Sequence, residues 1–135
     1  MLQKGGCLCG AVKYQFTAQP IACVHCHCID CQKITGSGFA TVFGLAEEQV
    51  QLNAHEGLGQ FTITADSGQS VTRLFCQTCG SQLFTQAENN PGFLWIKAGS
   101  LDDSSWLKPT DSCWTGSASK WAPADPNTKH HAGNP

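Results

Sequence analysis

Seven of the nine cysteines fall into three clusters whose spacing suits a soft metal ion: Cys7-Leu8-Cys9, Cys26-His27-Cys28-Ile29-Asp30-Cys31 and Cys76-Gln77-Thr78-Cys79. Two cysteines separated by one residue do not readily bond to each other. Both thiolates face a single ion, however, once the backbone bends, and Gly6 and Gly10 permit that bend. Cys76 and Cys79, followed by Gly80, form the C-x-x-C-G knuckle that grips a divalent ion between two sulfurs. These two clusters together supply four sulfurs, the closed tetrahedral set of a structural zinc site. The middle cluster supplies three. Three protein ligands leave a fourth coordination position for water or substrate, the usual mark of catalytic zinc. A thiol entering that position would be deprotonated by the ion and become a strong nucleophile. Spacing alone leaves open a different partition, in which Cys7 and Cys9 join the middle cluster.

Each of these residues also has a plainer reading. Cys26, Cys28 and Cys31 would form a second structural site if His25, His27 or Asp30 supplied a fourth ligand, although neighbours in extended backbone point to opposite sides. A redox role for Cys76 and Cys79 needs a βαβ setting that this sequence does not offer. Cys23 and Cys113 read as small buried hydrophobes, and His27 reads as a packing residue beside the ligands. Trp106, Trp114 and Trp121 read first as core or cover, with a ligand cleft as the alternative. His130 and His131 read as part of a solvated terminus.

The elements that must position these clusters have a period of two. Val12, Tyr14 and Phe16 alternate with polar residues, as do Phe61 and Ile63, and Val71, Arg73 and Phe75; alternation of this kind marks half-buried strands. Residues 39–45, 83–84 and 93–96 read as further short strands. Turn signals separate them at Ser67-Gly68, Cys79-Gly80-Ser81 and Asn89-Asn90-Pro91-Gly92. Helix is expected only as short turns at Asp30–Thr35 and Asp102–Leu107. The fold class is therefore mainly β, one domain over residues 1–125, with residues 126–135 a loose tail.

Bulk properties narrow the function. The chain has 135 residues, 41% of them hydrophobic, and a formal net charge of −2. The acidic balance and lack of a basic run argue against nucleic acid. No apolar run approaches the roughly 20 residues that span a bilayer, so no membrane partner is expected. The N-terminus lacks the apolar segment of a secretory leader. That feature, with an odd number of cysteines, argues for a reduced cytoplasmic protein that binds metal rather than a disulfide scaffold.

Three separated segments carry a family resemblance: Gly5-Gly6-Cys7-Leu8-Cys9-Gly10-Ala11-Val12-Lys13-Tyr14, the run from Cys26 through Gln32-Lys33-Ile34-Thr35-Gly36-Ser37, and Phe75-Cys76-Gln77-Thr78-Cys79-Gly80-Ser81. With Ala98-Gly99-Ser100-Leu101-Asp102-Asp103, they resemble the glutathione-dependent formaldehyde-activating enzyme family over about Gly5 to Trp121. The resemblance implies an Mss4-like β-tent of short antiparallel sheets stapled by two zinc ions. It assigns Cys7, Cys9, Cys76 and Cys79 to a structural zinc, and Cys26, Cys28 and Cys31 to a catalytic zinc; a site with three protein ligands loses its metal more readily than one with four. It further implies a carbon–sulfur lyase acting on a thiol such as glutathione and a small aldehyde such as formaldehyde. The family also contains centromere protein V and members without an established substrate, so the ligands point to the family and not to the thiol.

Overall fold

The computed structural model describes residues 1–53 and 56–135, and its architecture is mainly β. The period-two segments form strands. Lys13–Phe16 (β2) pairs antiparallel with Gln3–Gly6 (β1) and with Gln51–Leu52 (β5), giving a three-stranded sheet. The larger sheet has eight strands: Ala22–Cys26 (β3), Ala40–Ala46 (β4), Leu58–Thr64 (β6), Ser70–Cys76 (β7), Gln82–Ala87 (β8), Phe93–Lys97 (β9), Asp111–Cys113 (β10) and Lys129–His130 (β11). Its spatial order is β11-β10-β3-β4-β9-β8-β7-β6.

Alternation sorts the side chains of this sheet onto two faces. One face carries the main core. Cys23, Phe43, Leu45, Phe84, Leu94 and Ile96 are buried there together with Tyr14 and Phe16 of the small sheet. Phe16 and Phe43 meet with ring centroids 5.6 Å apart, and Trp106 closes over both. The opposite face carries a smaller cluster of Val24, Ala40, Val42 and Cys113, with Cys31, Trp95 and Trp114 against it. The irregular pairing of β7 with β8 between Leu74 and Phe75 shifts the register by one residue before Cys76, which ends fully buried on the core side.

Four details depart from expectation. β10 pairs in parallel with both β3 and β11, so the sheet is mixed and not wholly antiparallel. Residues 102–107 form no helix; the chain instead makes a 3-10 turn at Ala98–Ser100 and a turn closed by the Leu107 amide on the Ser104 carbonyl. Phe61 and Ile63 lie on the edge strand β6 and are exposed at 56% and 37%. The segment expected as a loose tail is docked. Lys129 and His131 donate backbone hydrogen bonds to Thr110 and Ser112, and the His131 ring lies 2.6 Å from the Asp111 carboxylate. Pro, Asn and Lys gave no apolar period there, since that docking is made by backbone and polar groups rather than by a buried stripe.

The small sheet is locked to the large one through Gly5 and Tyr14. Gly5 bridges to Leu101. The Tyr14 hydroxyl lies 2.7 Å from Ser100 Oγ, which donates to the Lys97 carbonyl. A Cβ at Gly5 would strike the Tyr14 ring and come within 2.6 Å of the Ser100 carbonyl oxygen, whereas one at Gly99 would meet nothing within 4 Å. Gly5→Ala is therefore expected to cost about 1–3 kcal/mol by overpacking, seen as a lower urea midpoint, with Gly99→Ala much less affected.

The tail responds to acid in a defined direction. The hydroxyl of Thr110, and then His131, hold the Asp111 carboxyl below its usual range. The fold thus favours the ionised carboxylate, and its contribution is present at neutral pH and lost as pH falls through that lowered value. Protection of the Lys129 and His131 amides, measured relative to the intrinsic exchange rate at each pH, should fall on acidification before the core strands lose protection, and Asp111→Asn should show the lower protection already at neutral pH.

Candidate metal centres and the cleft

The four sulfurs of Cys7, Cys9, Cys76 and Cys79 lie within 4.8 Å of one another. Cys7 and Cys9 are 3.6 Å apart and Cys9 and Cys76 are 3.7 Å apart, sulfur to sulfur. A tetrahedral zinc with bonds of about 2.3 Å needs sulfur–sulfur edges of roughly 3.8 Å, so the spacing suits that ion. It is far too long for a disulfide, and all nine cysteines are free. Polar groups already face two of these sulfurs. The Val12 amide donates to Cys7 Sγ at 3.2 Å, and Ser81 Oγ lies 3.2 Å from Cys79 Sγ while accepting from the Leu8 amide. Gly10 and Gly80 have φ of 82° and 79°, a left-handed conformation that glycine adopts without steric cost. Each closes its knuckle, donating to the carbonyls of Cys7 and Cys76.

Cys26, Cys28 and Cys31 form a second group, their sulfurs likewise within 4.8 Å. Cys26 ends β3. Cys28 caps the short helix Ile29–Thr35 (α1), its sulfur accepting from the Cys31 amide at 3.2 Å, and Cys31 lies in the first turn. A helix cap and a first-turn residue thus bring two sulfurs together locally, and the strand end brings the third. Gln32 fixes the helix: its side-chain amide donates to the carbonyls of His27 and Ser117, both at 2.9 Å, and its oxygen accepts from Ser119.

Among the described residues, no His, Asp or Glu joins this group. His25 Nδ1 bonds Thr41 Oγ1 at 2.8 Å. His27 is buried against Phe39, ring centroids 4.9 Å apart, and its Nδ1 has no hydrogen-bond partner. Asp30 lines the cleft without joining the sulfurs. The packing of the three thiols polarises them strongly when no ion is present. Cys26 and then Cys28 donate to Cys31 and hold its thiol down to about 3, while hydrogen bonding to Cys28 and Cys31 pushes Cys26 up.

The three-sulfur group opens into a cleft of about 520 Å³, the four-sulfur group being on the core side of the same sheet. The cleft floor is the second sheet face: Val24 and Val42 lie beside Lys97 in register, and Arg73 beside Thr85 and Trp95. Trp114 forms a wall. Its backbone is left-handed at φ 55°, which costs a bulky residue about 1–3 kcal/mol. The docked tail holds it there, with Trp114 N–H donating to the Gly133 carbonyl and its indole N–H to Asn134 Oδ1.

The remaining sequence candidates divide cleanly. Burial pushes the thiols of Cys23 and Cys113 up to about 11, consistent with hydrophobic roles. Cys23 faces the core and Cys113, the register partner of Cys26, faces the cleft. Of the three tryptophans considered, Trp106 is in the core, Trp121 is exposed, and only Trp114 lines the cleft. Sequence reasoning missed Trp95, Lys97 and Arg73 as cleft residues. A signal existed for Arg73, a charged residue in the stripe Val71, Arg73, Phe75.

Comparison with known proteins agrees with this picture. Among solved structures, the crystal structure of a Rhodobacter sphaeroides protein, a Northeast Structural Genomics target, is similar over 78% of this chain and 91% of its own, with a TM-score of 0.60 and 21% identity. At that identity the likeness speaks to the fold. A family model described as glutathione-dependent formaldehyde-activating enzyme matches residues 2–117. With both cysteine groups inside the matched span, the chain belongs to the glutathione-dependent formaldehyde-activating enzyme family.

Proposed function

We propose that the protein is a zinc-dependent carbon–sulfur lyase that joins a thiol to a small aldehyde, or breaks the same adduct. Glutathione and formaldehyde are the substrates the family's name suggests. The observation that carries this reading is the three-sulfur group, with no fourth protein ligand among the described residues, at the foot of an open cleft. Cys7, Cys9, Cys76 and Cys79 would hold a structural zinc, and Cys26, Cys28 and Cys31 a reactive one. Zinc at the second group would supply a Lewis-acidic position at which a thiol is kept ionised at neutral pH.

The chain's own residues account for placement. Cys28 as helix cap and Cys26 as strand end fix two sulfurs on rigid elements, and Gln32 keeps the helix from shifting relative to residues 117–119. Val24, Val42, Trp95 and Trp114 give the cleft apolar walls, which exclude water and orient the reactants. In the forward direction a bond forms between the thiol sulfur and the carbonyl carbon. The carbonyl π pair becomes the hydroxyl oxygen's, and the proton lost from sulfur ends on that oxygen. The reverse step breaks the same carbon–sulfur bond and returns the proton.

Two substitutions separate the two groups. Cys76→Ser should release metal and abolish the cooperative thermal transition, because a closed structural site contributes its binding energy to folding. Cys28→Ser should leave a folded chain with one zinc fewer. Unfolding of Cys28→Ser to the same degree would refute this division of labour.

The activity is tested by following exchange between free and adduct-bound aldehyde with NMR, at fixed thiol and formaldehyde. Zinc-loaded protein should raise both the forward and reverse rates by at least about tenfold, and Cys28→Ser should return them to the uncatalysed values. Rates unchanged by the zinc-loaded protein across several thiols would make it a binding scaffold of the same fold.

A further inference from the structure

Arg73 and Lys97 are the least explained residues of the molecule. Both lie on the sheet face that floors the cleft, and both are deeply buried, at 6% and 9% exposure. Buried cations are normally paired, since an unpaired one is strongly destabilising. Among the described residues neither has a carboxylate partner, and the negatively charged groups acting on them are the cysteine sulfurs. The Nε of Arg73 has no hydrogen-bond partner, and Lys97 Nζ bonds only the neutral Thr85 hydroxyl, at 3.1 Å. Asp30 and Asp66 also line the cleft, yet the only ion pair among the described residues is that of His131 with Asp111.

The three sulfurs do not remove this imbalance. Three thiolates and a divalent ion together carry one negative charge, against two positive charges from Arg73 and Lys97. Between the sheet floor and the sulfur group alone one positive charge is left over, and neither Asp30 nor Asp66 forms an ion pair with Arg73 or Lys97. A thiolate sulfur held beside the three cysteines would offset charge, but it supplies no oxygen to the Arg73 N–H. A guanidinium is shaped to take the two oxygens of a carboxylate.

We infer that Arg73 and Lys97 form a carboxylate subsite, and that the preferred substrates are thiols carrying a carboxylate on the same small molecule. The inference rests on the reading that a thiol enters the three-sulfur site, and it extends that reading by naming the part of the substrate that the cleft selects. Arg73 would bind the carboxylate through the terminal N–H groups of its guanidinium, which line the cleft, and Lys97, steadied by Thr85, would balance the remaining charge. The aldehyde needs no such contact and would occupy the apolar part of the cleft.

The test uses the full chain loaded with cobalt(II) in place of zinc, whose visible spectrum reports a sulfur joining the ion. Three probes are titrated: 3-mercaptopropionate, 2-mercaptoethanol and cysteamine, which carry a carboxylate, no charge and an ammonium group. The first has the least acidic thiol of the three, so acidity alone predicts the reverse of the order expected here. 3-Mercaptopropionate should bind about tenfold or more tightly than 2-mercaptoethanol, with cysteamine weakest, as a charge-assisted bond implies. Arg73→Gln should bring the first two within about twofold of each other, and Arg73→Lys should keep part of the preference. Metal content and circular dichroism check each variant.

Equal affinity for the three probes in the unaltered protein would overturn the inference while leaving the proposed function standing. So would a preference that survives in both Arg73→Gln and Lys97→Met. Variants that lose metal affinity but keep the preference would show that the cations merely neutralise the cysteine site. No spectral response to any thiol would overturn this inference and the proposed function together. Should Arg73→Gln fail to fold, the order of the probes in the unaltered protein and in Lys97→Met still decides.

Discussion

The tie between Cys7-x-Cys9 and Cys76-x-x-Cys79 is the constraint on which the other features depend. It brings the turn after β1 against the end of β7, so the four sulfurs stand together where the small sheet meets the large one. Here the core is real but thin. It is built on Phe16, Phe43, Phe84 and Ile96, with Tyr14 wedged against Gly5. The register shift before Cys76 shows the priority of the tie, since the β7–β8 ladder is disturbed where the knuckle must begin. Strand pairing gives way to ligand geometry at that point.

A second consequence follows from the pleat of the sheet. Neighbouring residues of one strand face opposite ways, so Cys23 enters the core and Val24 the cleft, and Ile96 enters the core and Lys97 the cleft. The closed sulfur group and the open one therefore occupy opposite sides of a single sheet. This separates the part that holds the fold together from the part that is free to bind a ligand. It also explains why the second group is assembled from a strand end and a seven-residue helix: the ligands come from the rim of the sheet, where a sulfur can reach an ion without breaking strand pairing.

The sequence made the metal groups legible because ligand spacing is a local property, and C-x-C, C-x-x-C and C-x-C-x-x-C each keep their sulfurs together whatever the fold. The strands β2, β4, β7, β8 and β9 were legible for a similar reason, through alternation or short apolar runs. What was not legible depends on long-range pairing. β10 and β11 are two or three residues long and polar, and they exist because Thr110, Ser112 and Lys129 find partners from distant segments. Arg73 and Lys97 stand on one floor only because β7 and β9 are separated by a single strand in the sheet order. Trp114 is a wall of the cleft because the tail holds it in a left-handed turn, and no local pattern encodes that.

The buried cations bear on the balance between stability and function. Arg73 and Lys97 could be exchanged for apolar residues of similar length with little loss of packing, and burial pushes the Lys97 ammonium down from its ordinary value. On stability alone such an exchange is often neutral or favourable. Positive charge on the cleft face therefore opposes the tendency of the fold, whose other face is wholly apolar between Phe43 and Phe84. Thr85 partly offsets the cost at Lys97, and at Arg73 Nε nothing among the described residues does. A local conflict of this kind, set beside a metal group in a cleft, is where a physical reading of a fold should look for function. The four-sulfur group lies on the other side of the sheet and leaves the cleft face free to carry charge.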